Sequence, residues 1–207
     1  MKVNSIPAGP LGTNCYIVSN GTDALIVDPG GDSENIIDFL ADEGVTPNAI
    51  LLTHAHFDHI GGVSHLRSYY GIDVYLHANE QAWLENPEWN GSSLFIGSEI
   101  KTAEAEHLLN PGSLQIGSFS FDVMHTPGHS PGSVSFLFHD EHFVISGDVL
   151  FNGGVGRTDL PGGDIQQLEQ SIRESLYQLP DSYLVYPGHG PETTIGQEKQ
   201  KNPFFTA

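Results

Sequence analysis

Residues 51–62 read LLTHAHFDHIGG. A short apolar run, Ala49–Leu52, has the length and punctuation of a buried strand. It stops abruptly at His54, His56, Asp58 and His59, and Gly61-Gly62 follow. Four such groups buried without partners would cost about 1–3 kcal/mol each, and a surface location would leave the apolar run unexplained. Metal coordination accounts for both. His54 and His56 are two residues apart, so on an extended segment they share a face and can chelate one ion. On a helix, at about 100° per residue, they would diverge by about 200°. Asp58 and His59 come as the chain turns into the next helix and can face a different point, which predicts two ions side by side.

Three further turns repeat the pattern. TPGHSPGS (126–133), ISGDVL (145–150) and YPGHGP (186–191) each follow an expected strand. Each places one metal-capable side chain, His129, Asp148 or His189, among glycines and prolines, where the backbone turns sharply and one side chain projects. The donor set is then five His and two Asp with no Cys. Imidazole with carboxylate suits zinc, iron or manganese, whereas magnesium and calcium prefer oxygen donors alone. Zinc is the first expectation, with iron or manganese as alternatives. His65, His77, His107, His125, His139 and His142 lie outside these turns and are read as ordinary packing or surface groups.

The 207 residues carry 7 Lys+Arg against 26 Asp+Glu, a formal charge of −19. That balance argues against nucleic acid, whose binding draws on counterions released by cations, and against an anionic membrane surface. The 24 Gly and 13 Pro, with many short apolar runs, predict short elements joined by tight turns. The one cysteine, Cys15, excludes an internal disulfide and reads as a small buried hydrophobe. MKVNSIPAGPLG at the start has no sustained apolar stretch, so a cytoplasmic protein without a membrane segment is expected.

Strands are expected at 3–6, 15–18, 24–28, 49–52, 74–76, 114–116, 119–125, 134–138, 143–145 and 184–186. Helices are expected over 32–44, capped by Asp32 or Ser33 and stopped by Gly44, then over 60–70, 165–177 and 194–201. Ile165, Leu168, Ile172 and Leu176 should form the buried stripe of the third. The stretch 86–110 reads as irregular. Strand groups interleaved with helices predict two sheets packed together with helices outside, in one domain spanning 1–207.

In this order THAHFDH, TPGHSPGS, SGD and PGHGP resemble the signature of the metallo-β-lactamase-fold hydrolases. The resemblance runs from GTNCYIV and IVDPGG to the final NPFF. GRTDLPGG (156–163) is similar to the single-domain glyoxalase II-like branch. The resemblance implies an α+β fold, a four-layer αββα sandwich with two mixed sheets. It also implies a ligand partition, with His54, His56 and His129 on one metal, Asp58, His59 and His189 on the other, and Asp148 bridging. Asp28 corresponds to a supporting position near the metals, with a strand-end turn as the equal alternative. The implied reaction is hydrolysis of a small-molecule thioester, an acyl-thiol of the hydroxyacylglutathione kind, by a metal-bridging hydroxide, with Asp58 also orienting the nucleophile. Ser130 and Ser133 are then turn residues, since no serine nucleophile is required.

Arg157, Lys199 and Lys201 are the candidates to contact an anionic thiol carrier. For Arg157 a structural ion pair is an equal reading; for the lysines a solvated face is preferred. Two-domain glyoxalase II enzymes hold glutathione through a C-terminal helical domain, which the chain is expected to lack. WLENPEWNGSSLF (83–95) reads first as packing of surface aromatics and second as a flap over the site. Two rivals stand beside the hydrolase, namely a persulfide dioxygenase with one iron at His54, His129 and Asp148, and a metal-binding protein without catalysis. True β-lactamases of the family are disfavoured because they usually lack the match to His59 and are secreted. A monomer or small homo-oligomer is expected.

Overall fold

A computed structural model describes residues 1–206. The chain divides into two compact units, one of residues Met1–Leu109 with Gln115–Phe119, the other of Asn110–Leu114 with everything from Ser120 onward.

The first unit is built on a six-stranded mixed sheet in sequential order: β1 (Lys2–Ala8), β2 (Thr13–Asn20), β3 (Asp23–Val27), β4 (Thr46–Leu51), β5 (Asp73–His77) and β6 (His107–Leu109). β1, β2 and β3 pair antiparallel, and β3 to β6 run parallel. Parallel neighbours need helical crossovers. Helix α1 (Ser33–Glu43) follows β3, and α2 (Phe57–Ile60) and α3 (Val63–Tyr70) follow β4. Ile36, Leu40, Val63 and Leu66 from the helices meet Ile17, Ile26, Ile50 and Val74 from the strands in one buried cluster, which also contains Cys15.

Two local expectations need correction here. Asp32 precedes α1 but makes no side-chain cap. It adopts left-handed φ of 47°, and its Oδ2 accepts the Gly9 N–H at 2.8 Å, tying the β1–β2 turn to the helix entrance. The single helix expected over 60–70 is two pieces broken at Gly61-Gly62. There the backbone passes against Pro29-Gly30. The Gly62 N–H donates to the Pro29 carbonyl at 2.7 Å, and a Cβ on Gly61 would collide with the Gly30 carbonyl.

The second unit is built on a sheet ordered β14–β13–β10–β9–β8–β7. Its strands are β7 (Gly112–Ile116), β8 (Phe119–His125), β9 (Val134–Phe138), β10 (Phe143–Gly147), β13 (Leu184–Pro187) and β14 (Thr193–Thr194). Between β10 and β13 lie a small hairpin, β11 (Leu150–Phe151) and β12 (Gly154–Val155), and helix α5 (Ile165–Glu174). A 3-10 turn at Leu176–Gln178 ends that crossover, and α6 (Ile195–Lys201) follows β14. Leu168, Ile172 and Leu176 are buried against Val144 and Val185, as the stripe predicts. Ile165 is 49% exposed, because it is the first residue of α5 and the stripe engages one turn later. Helix α4 (Ser92–Phe95) and β6 lie in the stretch expected to be irregular, and β14 follows β13, which takes the place of the strand expected last over 184–186.

Topology alone gathers the polar turns. β3, β4 and β5 are parallel, so their carboxyl ends share one edge of the first sheet, and the start of antiparallel β2 joins them. In the second sheet β8 and β10 are each antiparallel to β9, and β13 is parallel to β10. The ends of β8, β10 and β13 therefore also share an edge. Binding sites in sheets of this kind form beyond the carboxyl ends of strands.

Candidate metal centre

In the first unit four strand ends supply the site. Asp28 follows β3, His54 to His59 follow β4, Glu80 follows β5, and Thr13 opens β2. His54 and His59 are fully buried, and His56 and Asp58 are each 5% exposed. Asp28 holds the cluster from behind. Its Oδ1 accepts the Thr53 N–H at 2.8 Å, its Oδ2 accepts the Thr53 hydroxyl at 2.6 Å, and the same Oδ2 lies 3.0 Å from His59 Nδ1. Asp28 sits at φ 52°, a left-handed conformation that Asp tolerates better than most residues. The Thr53 hydroxyl in turn lies 3.1 Å from His54 Nδ1. Thr13 Oγ1 donates to Asp58 Oδ2 at 2.9 Å. The fully buried Glu80 carboxylate accepts the Ala55 N–H, fixing the peptide between His54 and His56.

In the second unit the three remaining residues come together. Parallel pairing of β10 and β13 brings the positions after them side by side, and Gly188 N–H donates to the Gly147 carbonyl at 2.8 Å. His189 Nε2 and His129 Nε2 each lie 3.7 Å from Asp148 Oδ2. His129 Nδ1 is 2.7 Å from the Arg157 carbonyl oxygen.

The donor chemistry fits metal binding in both sets. Carboxylates and carbonyls only accept, so the ring nitrogen facing them carries the proton. His129 is therefore held by Nδ1, His59 presents Nδ1 to the Asp28 carboxylate at 3.0 Å, and His54 faces Thr53 with the same nitrogen, leaving Nε2 as the forward atom. Ligating histidines characteristically give their other ring N–H to such a partner. Two donors at about 2.1 Å from one ion in tetrahedral array stand about 3.4 Å apart. The two spacings to Asp148 and the 3.6 Å from His59 Nε2 to Asp58 Oδ2 are close to that value.

The candidate carrier-binding residues are engaged otherwise. Arg157 forms a two-point ion pair with Asp159 at 2.7 and 2.8 Å. That guanidinium draws the exposed Asp159 carboxyl down to about 2. Its link to the site is the backbone carbonyl on His129. Lys199 donates to Asp181 at 2.7 Å and to the Leu179 carbonyl at 3.1 Å, and Lys201 is exposed in the last turn of α6. Ser130 and Ser133 bond each other at 2.7 Å within their turn. Thr13, Thr53 and Glu80 escape sequence reading: Thr53 opens THAHFDH and Thr13 stands in GTNCYIV, but a threonine is no usual metal ligand, and Glu80 lies in no recognisable pattern.

A metallo-hydrolase scaffold is what these strand-end donor sets define, and comparison with known proteins gives the same class. The model of the metallo-beta-lactamase superfamily matches residues 8–189. A Bacillus subtilis (strain 168) protein described as the probable metallo-hydrolase YqgX is 49% identical over 206 residues, covering 99% of this chain and 98% of that one. Hydroxyacylglutathione hydrolase GloC of Haemophilus influenzae is 34% identical, over 100% of this chain and 99% of its own length. Among solved structures, BLEG-1 B3 metallo-beta-lactamase superposes with a TM-score of 0.97 at 54% identity, covering 100% of both chains. TTHA1623 in a di-iron-bound form gives 0.89 at 40% identity, over 98% of this chain and 100% of that one. The chain belongs to the metallo-beta-lactamase superfamily. Its fold is α+β with two mixed sheets and helices, and it is a metal-binding hydrolase of that superfamily. No helix among the described residues is long and apolar enough to cross a membrane.

Proposed function

We propose that the chain is a dinuclear metal-dependent hydrolase of small-molecule thioesters. His54, His56 and His129 would hold one ion and Asp58, His59 and His189 the other, with Asp148 placed to serve both. The observation that carries this reading is the common orientation of His54, His59 and His129, each backed at Nδ1 so that Nε2 points forward. Membership of the superfamily and the GloC relative support the substrate class. Zinc is the first expectation, and the di-iron form of TTHA1623 makes iron its chief competitor.

When bound, divalent ions supply Lewis acidity and lower the pKa of water to about 7. The chain's own residues do the rest. Thr13 holds one Asp58 oxygen, so the carboxylate is fixed to orient an attacking water and accept its proton. Water adds to the acyl carbon and the C–S bond breaks. The thiolate leaves without a dedicated acid, because thiols ionise near a pKa of about 8.5. Asp28 and the Arg157 carbonyl keep the imidazoles in one tautomer throughout.

The test is metal analysis of the purified protein, paired with turnover of lactoylglutathione and other thioesters under argon and in air. Two metals per chain and oxygen-independent cleavage are expected. One iron with persulfide-dependent oxygen uptake would assign the dioxygenase instead. A second reading, β-lactam hydrolysis, is favoured by 54% identity to BLEG-1, against the expectation drawn from His59. Nitrocefin in the same panel decides it, since hydrolysis of nitrocefin faster than of any thioester would replace the thioester reading.

A further inference from the structure

An exposed apolar surface stands beside the turn that carries His56. Trp89 is 47% exposed, Leu94 72% and Phe95 42%. The segment bearing them is pinned. The fully buried Asn90 amide donates to the carbonyls of Trp83 at 3.1 Å and Ile100 at 2.9 Å, and its Oδ1 accepts the Ser92 N–H at 3.0 Å. The Asn90 carbonyl accepts the N–H of Phe57, the residue after His56, at 2.9 Å. Phe95 stacks on Phe57 at 5.9 Å between ring centroids, and Trp83 tilts against His56 at 5.6 Å. Three large apolar side chains are thus exposed on a segment held by hydrogen bonds, one of which ends on the residue after His56. Apolar side chains on a segment ordered in advance bind a ligand at lower entropic cost than side chains that must first be ordered.

Charge indicates what binds there. The chain carries a formal −19 with seven Lys and Arg. Six of the seven are ion-paired to the chain's own carboxylates, Arg157 to Asp159 and Lys199 to Asp181 among them. An anionic carrier would approach against that field, and apart from Lys201 on the last helix every Lys and Arg it could meet already faces a carboxylate of the chain.

We infer that the substrate is an uncharged thioester whose apolar group lies on Trp89, Leu94 and Phe95, in preference to an acyl group on an anionic carrier. This inference rests on the thioester reading and narrows it. It departs from the glutathione carrier in the name of the GloC relative.

The experiment uses metal-loaded enzyme with acetyl and hexanoyl thioesters of N-acetylcysteamine, glutathione and coenzyme A. The neutral hexanoyl thioester is expected to exceed the coenzyme A thioester in kcat/KM by about tenfold or more at low salt. Raising salt from about 20 to about 300 mM should speed the anionic substrates several-fold and leave the neutral one unchanged. Trp89→Ala and Leu94→Ala should each lower the hexanoyl-to-acetyl ratio about tenfold, through KM, and Trp89→Phe should restore it. Preference for anionic carriers, rates that fall with salt, or an unchanged ratio in both alanine variants would overturn the inference. If no thioester is cleaved, the reaction assignment fails separately. Calorimetry with the S-hexyl thioethers of N-acetylcysteamine and coenzyme A then decides the surface. Tighter binding of the neutral ether that weakens in Trp89→Ala upholds it; equal binding to both proteins refutes it.

Discussion

Replacing Asp28 by Asn tests whether tautomer control sets metal affinity. Asn tolerates the left-handed backbone at this position, and its carbonyl oxygen can still accept the Thr53 N–H, as Oδ1 does at 2.8 Å. The other oxygen becomes an NH2 group, a donor where an acceptor stood. It now faces His59 Nδ1 at 3.0 Å and the Thr53 hydroxyl at 2.6 Å. To meet a donor, His59 must move its proton from Nδ1 to Nε2, the nitrogen proposed to bind metal. The Thr53 hydroxyl must turn away and can donate to His54 Nδ1 at 3.1 Å, driving the same inversion there. Loss of such a supporting partner costs about 10–100-fold in metal affinity, which is about 1.4–2.7 kcal/mol. Inversion of two ligands places the expected loss at the upper end. The assay is competition against a chromophoric chelator, with circular dichroism to establish folding. A folded Asp28→Asn protein that binds zinc within about threefold of wild type would refute the argument, because a tautomer effect cannot be smaller than one supporting contact.

Other expectations follow from packing and burial. Gly156→Ala places a Cβ against the Asp148 carbonyl and 3.1 Å from His129 Cβ; destabilisation of about 3 kcal/mol is expected, read as a lower Tm together with reduced metal content. Burial, and then the Asp28 charge, push the Cys15 thiol well above its ordinary range, so a disulfide reagent at pH 8 should label no thiol in native protein and one per chain in denaturant; rapid native labelling would contradict the burial. The Tyr177 phenol is pushed up to about 12 by burial and then by Glu198, and it donates to the Phe205 carbonyl at 2.7 Å. Its folded pKa lies above the unfolded value of about 10, so its contribution to stability is complete below pH 10 and is lost as pH rises toward 12. Absorbance at 295 nm should show a late phenolate step that disappears in Tyr177→Phe.

How far the site is legible in sequence depends on whether a residue's role is set by its own neighbours or by a distant contact. The ligand candidates are legible because they stand in turns after apolar runs, four of them clustered in one turn and His129, Asp148 and His189 each alone in another, a pattern written within about eight residues of chain. The residues that orient them are not. Thr13 reaches Asp58 across 45 positions of sequence, and does so only because antiparallel β2 begins at the edge where parallel β4 ends. Glu80 reads as an ordinary acidic residue after a strand, yet its carboxylate holds the Ala55 N–H. Arg157 is visible as a cation, but its tie to His129 is made by a backbone carbonyl that carries no trace of side-chain identity. Gly61-Gly62 reads as punctuation inside a helix; its actual role is to let the chain pass against Pro29-Gly30, which couples the histidine turn to the turn carrying Asp28. The supporting network is therefore a product of topology. Two chains with the same ligand motifs can differ in how the ligands are held if they differ at position 53, which faces the His54 ring, at 13, which holds the Asp58 carboxylate, or at 80, which holds the peptide between His54 and His56, and those positions are where metal preference within such a scaffold can be tuned without touching a ligand.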